Sequence, residues 1–160
     1  VAVILRDVTK ENWQESVRLK LAPGQESFVA SNAYSLAESK FMPTFVPQAV
    51  YTSAETDGAA TMVGFVMYGF YPDGEPPFGQ RHWIFRLMID REHQGRGYGR
   101  AALALVLDRL SANPDCPDVL IGHEPENTVA ARLYAQLGFA PFATAPWGET
   151  ILIRETPATA

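Results

Sequence analysis

The sequence predicts a single α/β domain built on a mixed central sheet, and three observations carry that prediction. Short β-patterned runs alternate with helical runs along the chain. Gly95, Gly97 and Gly99 stand at alternate positions between an apolar strand-like run (residues 81–89) and an apolar helical run (101–110). At 160 residues, with 47% apolar and 19% charged content, the chain is long enough for one sizeable core and too apolar to be disordered.

The elements follow in order. Residues 1–7 alternate weakly and read as a first strand. Thr9 caps a helix to about Leu21, and Asn32 caps a second whose Ala33, Leu36, Ala37 and Phe41 repeat at helical spacing. Pro43 and Pro47 end it. Residues 49–52 and 61–71 read as strands joined across Asp57-Gly58, a strong hairpin signal. Residues 72–80, with three prolines and two glycines, form a loop before the strand at 81–89. Leu103, Val106, Leu107 and Leu110 mark the buried face of the next helix. Residues 118–123 form a strand, 127–137 a helix closed by Gly138, and 149–154 a last strand. Residues 1–155 are expected to form one domain and 156–160 a disordered tail.

The glycine turn carries the chemistry. A glycine-rich connection into a helix leaves backbone N–H groups unpaired at the positive end of the helix dipole. It also lets a phosphate approach the backbone closely. Arg91, Arg96 and Arg100 outnumber Asp90 and Glu92 there, in a chain of net charge −5. A Walker A loop is excluded, because no Lys-Ser or Lys-Thr follows the glycines. Gly97 to Ala102 does fit the dinucleotide pattern G-x-G-x-x-A. Asp115 and Asp118, however, come too early for its ribose-binding acid, and about sixty residues are too few for the rest of that domain.

Composition narrows the field further. No apolar stretch approaches a bilayer span, and no basic-then-apolar leader opens the sequence. Neither a membrane nor a nucleic acid is an expected partner of this acidic chain. The single cysteine, Cys116, cannot form an internal disulfide, which suits the cytoplasm. His82, His93 and His123 are scattered, so no metal site is expected.

Two motifs identify a family. Gln94 to Gly99 reads Q-x-x-G-x-G after a strand, and Asn127 to Phe139 reads N-x-x-A-x-x-L-Y-x-x-x-G-F. Together they resemble the GCN5-related N-acetyltransferases (GNAT) over residues 3–155. The resemblance implies a mostly antiparallel sheet of six to seven strands, splayed in the middle and flanked by about four helices. It implies acetyl-CoA as co-substrate, its diphosphate held by the turn of Gln94, Gly95, Arg96, Gly97, Tyr98, Gly99 and Arg100. The pantetheine arm would pair with the backbone of Leu87 and Ile89, and Asn127, which a helix N-cap explains equally well, would hydrogen-bond it. Tyr134 would give its proton to the leaving sulfur, although the same side chain also falls on the apolar helix face. An ordinary phenol, at about pKa 10, lies about 1.5 units from an ordinary thiol.

The resemblance implies an amine acceptor, and an alkylamine is neutral only about one part in 2,500 at pH 7, so a base is expected. Trp83 to Asp90 is similar to the W-x-D-R-x-x-I-D of bacterial spermidine/spermine (diamine) N-acetyltransferases, with Phe85 where the acid belongs. Ser35 to Glu38, Val63 to Gly69 and Gly148-Glu149 extend that similarity. Glu38, Glu75 and Glu149 are the substitute acids, and Phe85 faces the acceptor if the similarity holds. A small polyamine is the favoured acceptor. An amino acid, an antibiotic, a protein N-terminus, or a non-catalytic CoA-binding module are the alternatives. Homodimers are frequent in such families, and a homodimer is compatible with this sequence.

Overall fold

The computed structural model describes residues 1–53 and 59–157, so the expected Asp57-Gly58 turn lies outside the described residues. The chain runs β1 (Val3–Asp7), α1 (Trp13–Arg18), α2 (Asn32–Phe41), β2 (Phe45–Thr52), β3 (Met62–Tyr71), β4 (Arg81–Ile89), α3 (Tyr98–Ser111), β5 (Asp118–His123), α4 (Thr128–Gln136), β6 (Ala140–Thr144) and β7 (Thr150–Glu155). The strands form one sheet in the order β1-β2-β3-β4-β5-β7-β6. Every neighbouring pair is antiparallel except β4–β5, which is parallel.

That one parallel pair positions the site. Pairing between β4 and β5 covers only His82↔Val119, Trp83↔Leu120 and Ile84↔Ile121. Beyond it β4 keeps β3 on one side, through Gly64↔Ile89, while β5 stays with β7 as far as His123↔Thr150. The sheet therefore opens into a V at residues 85–89.

α3 covers the sheet beside the V, burying Ala102, Leu103, Val106, Leu107 and Leu110 against β1, β3 and β4. A polar network pins its far end. Arg109 donates to Gln48 Oε1 at 2.5 Å and Tyr68 Oη at 3.1 Å, while Gln48 Nε2 reaches Asp7 Oδ1 at 3.0 Å. Buried polar groups partnered this way avoid the cost of an unmet hydrogen bond.

Four local expectations are corrected. The first helix starts at Trp13, not after Thr9, because the Thr9 carbonyl accepts from Asn12 and Trp13 and its N–H donates to Asn12 Oδ1 at 2.7 Å, which makes a turn. Ser31 rather than Asn32 caps α2, its Oγ accepting from the Tyr34 N–H at 3.1 Å. Asn32 instead turns inward and donates to the Ser16 carbonyl at 2.8 Å. The inner face of α2 is thus mixed, with Asn32 and Ser35 buried and Leu36 half-buried against the core, while Phe41 is 80% exposed. Pro47 lies within β2, one residue beyond the last β1 partner at Gln48, where β2 is no longer flanked on both sides. At the other end of the chain the Thr156 N–H donates to Pro117 O at 3.0 Å, while residues 158–160 of the expected tail lie outside the described residues.

Candidate active site

A cleft of about 880 Å³ fills the V. Its walls are the β4 edge at residues 84–89, the end of β5 at 121–123, the N-terminal turns of α3 and α4, and residues 27–30 of the α1–α2 connection.

The α3 end is built for an anion. The first intrahelical bond runs from the Ala101 N–H to the Gly97 carbonyl, so the N–H groups of Tyr98, Gly99 and Arg100 have no partner inside the helix. Gly95 and Gly97 adopt left-handed φ of 76° and 87°, which bends the chain into the helix at little steric cost. Gly99 does not; a Cβ there would sit 3.6 Å from Ile89 and 3.9 Å from Leu87, at the cleft wall. The missing side chain keeps that wall open.

The predicted anion-site side chains divide. Gln94 lines the cleft but its amide is committed, donating to Gln25 Oε1 and to the Ile89 carbonyl, both at 2.9 Å. The carbonyl of Ile89 is therefore already engaged, and Gln94 acts as the clamp between β4, the glycine turn and the α1–α2 connection. Asp90 reinforces that seam through Oδ2, which accepts the Lys20 N–H at 2.8 Å. Arg100 is held towards α4 by Gln136 Oε1 at 2.8 Å. Tyr98 is half-buried and packs against the core. Arg96 is exposed and lies off the cleft wall.

Tyr134, His123, Gly122 and Glu149 meet at the apex of the V. Asn127 caps α4, its Oδ1 accepting from the Ala130 N–H at 3.2 Å, and so aims the helix that carries Tyr134. Burial, and then the charge of Glu149, push the Tyr134 phenol up to about 12. That corrects the match to a thiol expected from sequence: Tyr134 is a group that keeps its proton. His123, one of three histidines scattered along the sequence, lines the cleft with its ring centroid 6.1 Å from that of Tyr134. Its Nδ1 lies 2.8 Å from the Glu124 carbonyl, so Nδ1 carries the hydrogen and Nε2 is the acceptor.

A second cleft of about 470 Å³ opens beyond the apex, sharing Ile84, Phe85, Arg86, Gly122 and Glu149 with the first. Of the three expected acids, Glu149 stands at the junction and accepts from Trp147 Nε1 at 2.6 Å. Glu38 lines the second cleft but is paired with Arg86 at 3.3 Å. Glu75 is exposed on the loop outside both clefts, and Asp73 takes its place on the wall. Phe85 lines both clefts, stacked on Phe45 with ring centroids 3.9 Å apart. Among the described residues no group of His, Cys, Asp or Glu could hold a metal ion, and no helix is long and apolar enough to cross a membrane.

Comparison with known proteins follows the same lines. Residues 11–139 match the model of the acetyltransferase (GNAT) family. The chain belongs to the GNAT family. It is 26% identical over 157 residues to the spermine/spermidine N(1)-acetyltransferase of Bacillus subtilis (strain 168), covering 97% of this chain and 99% of the relative. Among solved structures, the spermidine N-acetyltransferase of Vibrio cholerae in complex with CoA and spermine superposes with a TM-score of 0.73 at 15% identity, over 96% of this chain and 95% of that one. An aminoglycoside acetyltransferase with coenzyme A and kanamycin gives 0.73 at 16%, over 96% and 95%. At such identities the superpositions speak for the fold. The seven-stranded splayed sheet and four helices are therefore a GNAT architecture, and the chain is an N-acetyltransferase of that type. The unpaired helix N–H groups and the bare Gly99 wall leave room and backbone donors for an anion at the α3 end of the cleft.

Proposed function

We propose that this protein transfers the acetyl group of acetyl-CoA directly to a primary amine of a small acceptor, with a polyamine such as spermidine or spermine as the favoured class. The observation that carries the reading is the V between β4 and β5. It has an anion cradle at one end, a proton-holding phenol at its apex, and a second, acid-bearing cleft beyond. The polyamine class is supported by the full-length similarity to a spermine/spermidine acetyltransferase.

Acetyl-CoA, when bound, supplies an activated acetyl group as a thioester. The N–H groups of Tyr98, Gly99 and Arg100 bind its diphosphate, and the open edge of β4 around Leu87 aligns its arm. Glu149 draws the acceptor ammonium to the apex. His123 Nε2 takes a proton from that ammonium, since only the neutral amine carries a lone pair. Tyr134 holds its proton at Oη and offers it as a hydrogen bond to the leaving sulfur. At about 12 the phenol is too weak an acid to hand the proton over fully. Stabilisation of developing charge by a fixed donor is therefore its role; the second proton lost by the attacking nitrogen leaves through solvent, which also protonates the released thiolate.

The test is turnover of acetyl-CoA by the purified chain against spermidine, spermine, an amino acid, an aminoglycoside and a peptide N-terminus, with the acetylated product identified by mass. Free thiol released with an N-acetylated polyamine supports the reading. Thiol release with no acetylated amine, or none with any acceptor, overturns it.

A further inference from the structure

The second cleft has a wall composition that the transfer reaction alone does not require. Five aromatic side chains line it: Phe45, Tyr71, Trp83, Phe85 and Trp147. They form a connected set, with Phe85 stacked on Phe45 at 3.9 Å, parallel to Trp83 within 11°, and edge-on to Tyr71 at 89°. Trp83 is fixed by its Nε1, which donates to the Phe78 carbonyl at 2.8 Å, and Trp147 closes the set edge-on to Phe78 at 5.3 Å. Three carboxylates and one guanidinium share this wall. Arg86 is committed to Glu38, which leaves Asp73 at the rim and Glu149 at the junction as the uncompensated charges.

Aromatic faces attract cations through the ring quadrupole, more strongly where water is thinned out. A neutral apolar body would be served by aromatic walls but not by two uncompensated carboxylates lining them. A single ammonium delivered to the apex would use Glu149 and leave Asp73 idle. An acceptor with two positive charges uses both, its apolar spacer crossing the rings between them.

We propose that the second cleft is an aromatic cage for the distal positive charge of the acceptor, with Asp73 as the residue that sets the preference for a dication. This rests on the reading of the chain as an amine acetyltransferase, and it assigns the residues by which that acceptor is chosen. Asp73 and Trp147 act on acceptor selection; neither belongs to the transfer step.

The experiment compares cadaverine, hexylamine and phenethylamine on the full chain, both in steady-state transfer and by calorimetric binding to the protein–CoA complex. The expected result is a kcat/KM and an affinity for cadaverine at least 10-fold above hexylamine. That ratio should shrink with added salt, because exposed charges are screened over about 8–10 Å at physiological ionic strength. Asp73→Asn should lower the ratio about 10-fold. Trp147→Leu should lower it too, while Trp147→Phe, which keeps a ring face, should restore most of it. A ratio untouched by both Asp73→Asn and Trp147→Leu overturns the cage, and so does tightest binding of phenethylamine, which would make the occupant an aromatic body. Failure of transfer with every amine would instead strike the acetyltransferase reading, and the calorimetric ratios would still decide the cage.

Discussion

The rings of Tyr134 and His123 lie 6.1 Å apart, centroid to centroid and tilted by 53°, at the point where β4 and β5 part. One is carried by α4 and aimed by the Asn127 cap; the other ends β5 and is oriented by the Glu124 carbonyl. A buried phenol and an imidazole thus line the same cleft from independent elements. Their effects on rate are separable.

Tyr134→Phe removes the hydroxyl and keeps the packing against Phe139 and the core. Acetyl transfer is expected to fall by about 10²-fold, the scale for loss of one fixed hydrogen-bond donor to a developing charge. Binding of CoA and thermal stability should change little. Because the phenol ionises only near 12, the wild-type rate should show no alkaline decline from this residue below about pH 10. Full activity in the phenylalanine variant would return Tyr134 to a packing role.

His123→Gln keeps a polar side chain at the cleft but removes the proton acceptor. At pH 7 kcat/KM is expected to fall by about 10- to 100-fold. The deficit should narrow as pH approaches that of the free amine, near about 10.4, where the acceptor no longer needs a base. A deficit constant across pH 6–10 would show that His123 shapes the cleft without moving a proton.

Legibility in the sequence followed how local the determining physics is. Strands β4 and β5 start and end where hydrophobic patterning places them, and Asn127 caps α4 because the cap is a contact three residues long. The β6 strand (Ala140–Thr144) was missed: it is a short edge strand with Pro141 inside it, mostly solvent-facing, and only its pairing with β7 defines it. The inner face of α2 was misread because Asn32 satisfies itself on Ser16, a partner that no helical period reveals. The motifs pointed to the glycine turn and Tyr134, and both line the cleft. That Asp73 and His123 line the clefts was not legible, since nothing local separates Asp73 from Glu75 on the same loop, and His123 meets Tyr134 only when α4 folds against β5.

Stability should fall off at both ends of the pH scale, for different groups. Desolvation lowers the His82 pKa, with Asp115 and Asp118 opposing it only in part. The unfolded chain therefore binds the extra proton more readily, and stability is lost as pH falls below about 6.5. Burial pushes the Cys116 thiol up to about 11, with Asp118 adding to the shift, and the Tyr134 phenol stands at about 12. These raised values make the fold's stability complete below about pH 9 and lost progressively as pH rises towards 12. Thermal midpoints measured from pH 5 to 11 should trace a plateau with losses of several degrees at each end. Cys116→Ser should move the start of the alkaline loss upward, and an unchanged alkaline limb in that variant would exclude the thiol.

The two glycines of the cradle should respond differently to the same substitution. Gly97 has φ of 87°, a conformation that costs an L residue about 1–2 kcal/mol, so Gly97→Val strains the turn before any ligand arrives. Its loss of CoA binding would be ambiguous. Gly99 has no such constraint, and its added Cβ would meet Ile89, Leu87 and Leu133 at ordinary contact distances of 3.6–4.0 Å. Gly99→Val is therefore expected to fold, since within α3 valine is a somewhat better helix former than glycine. Its methyl groups would stand at the cleft wall beside the unpaired N–H groups of Tyr98 and Arg100. A ligand that binds the native state alone raises the thermal midpoint by an amount that grows with the logarithm of its affinity. Wild-type protein should show that rise with CoA, and Gly99→Val should lose most of it while keeping its own unliganded midpoint within a few degrees. Undiminished CoA affinity in folded Gly99→Val would move the diphosphate away from the α3 N-terminus and, with it, the direction in which the acetyl group enters the V.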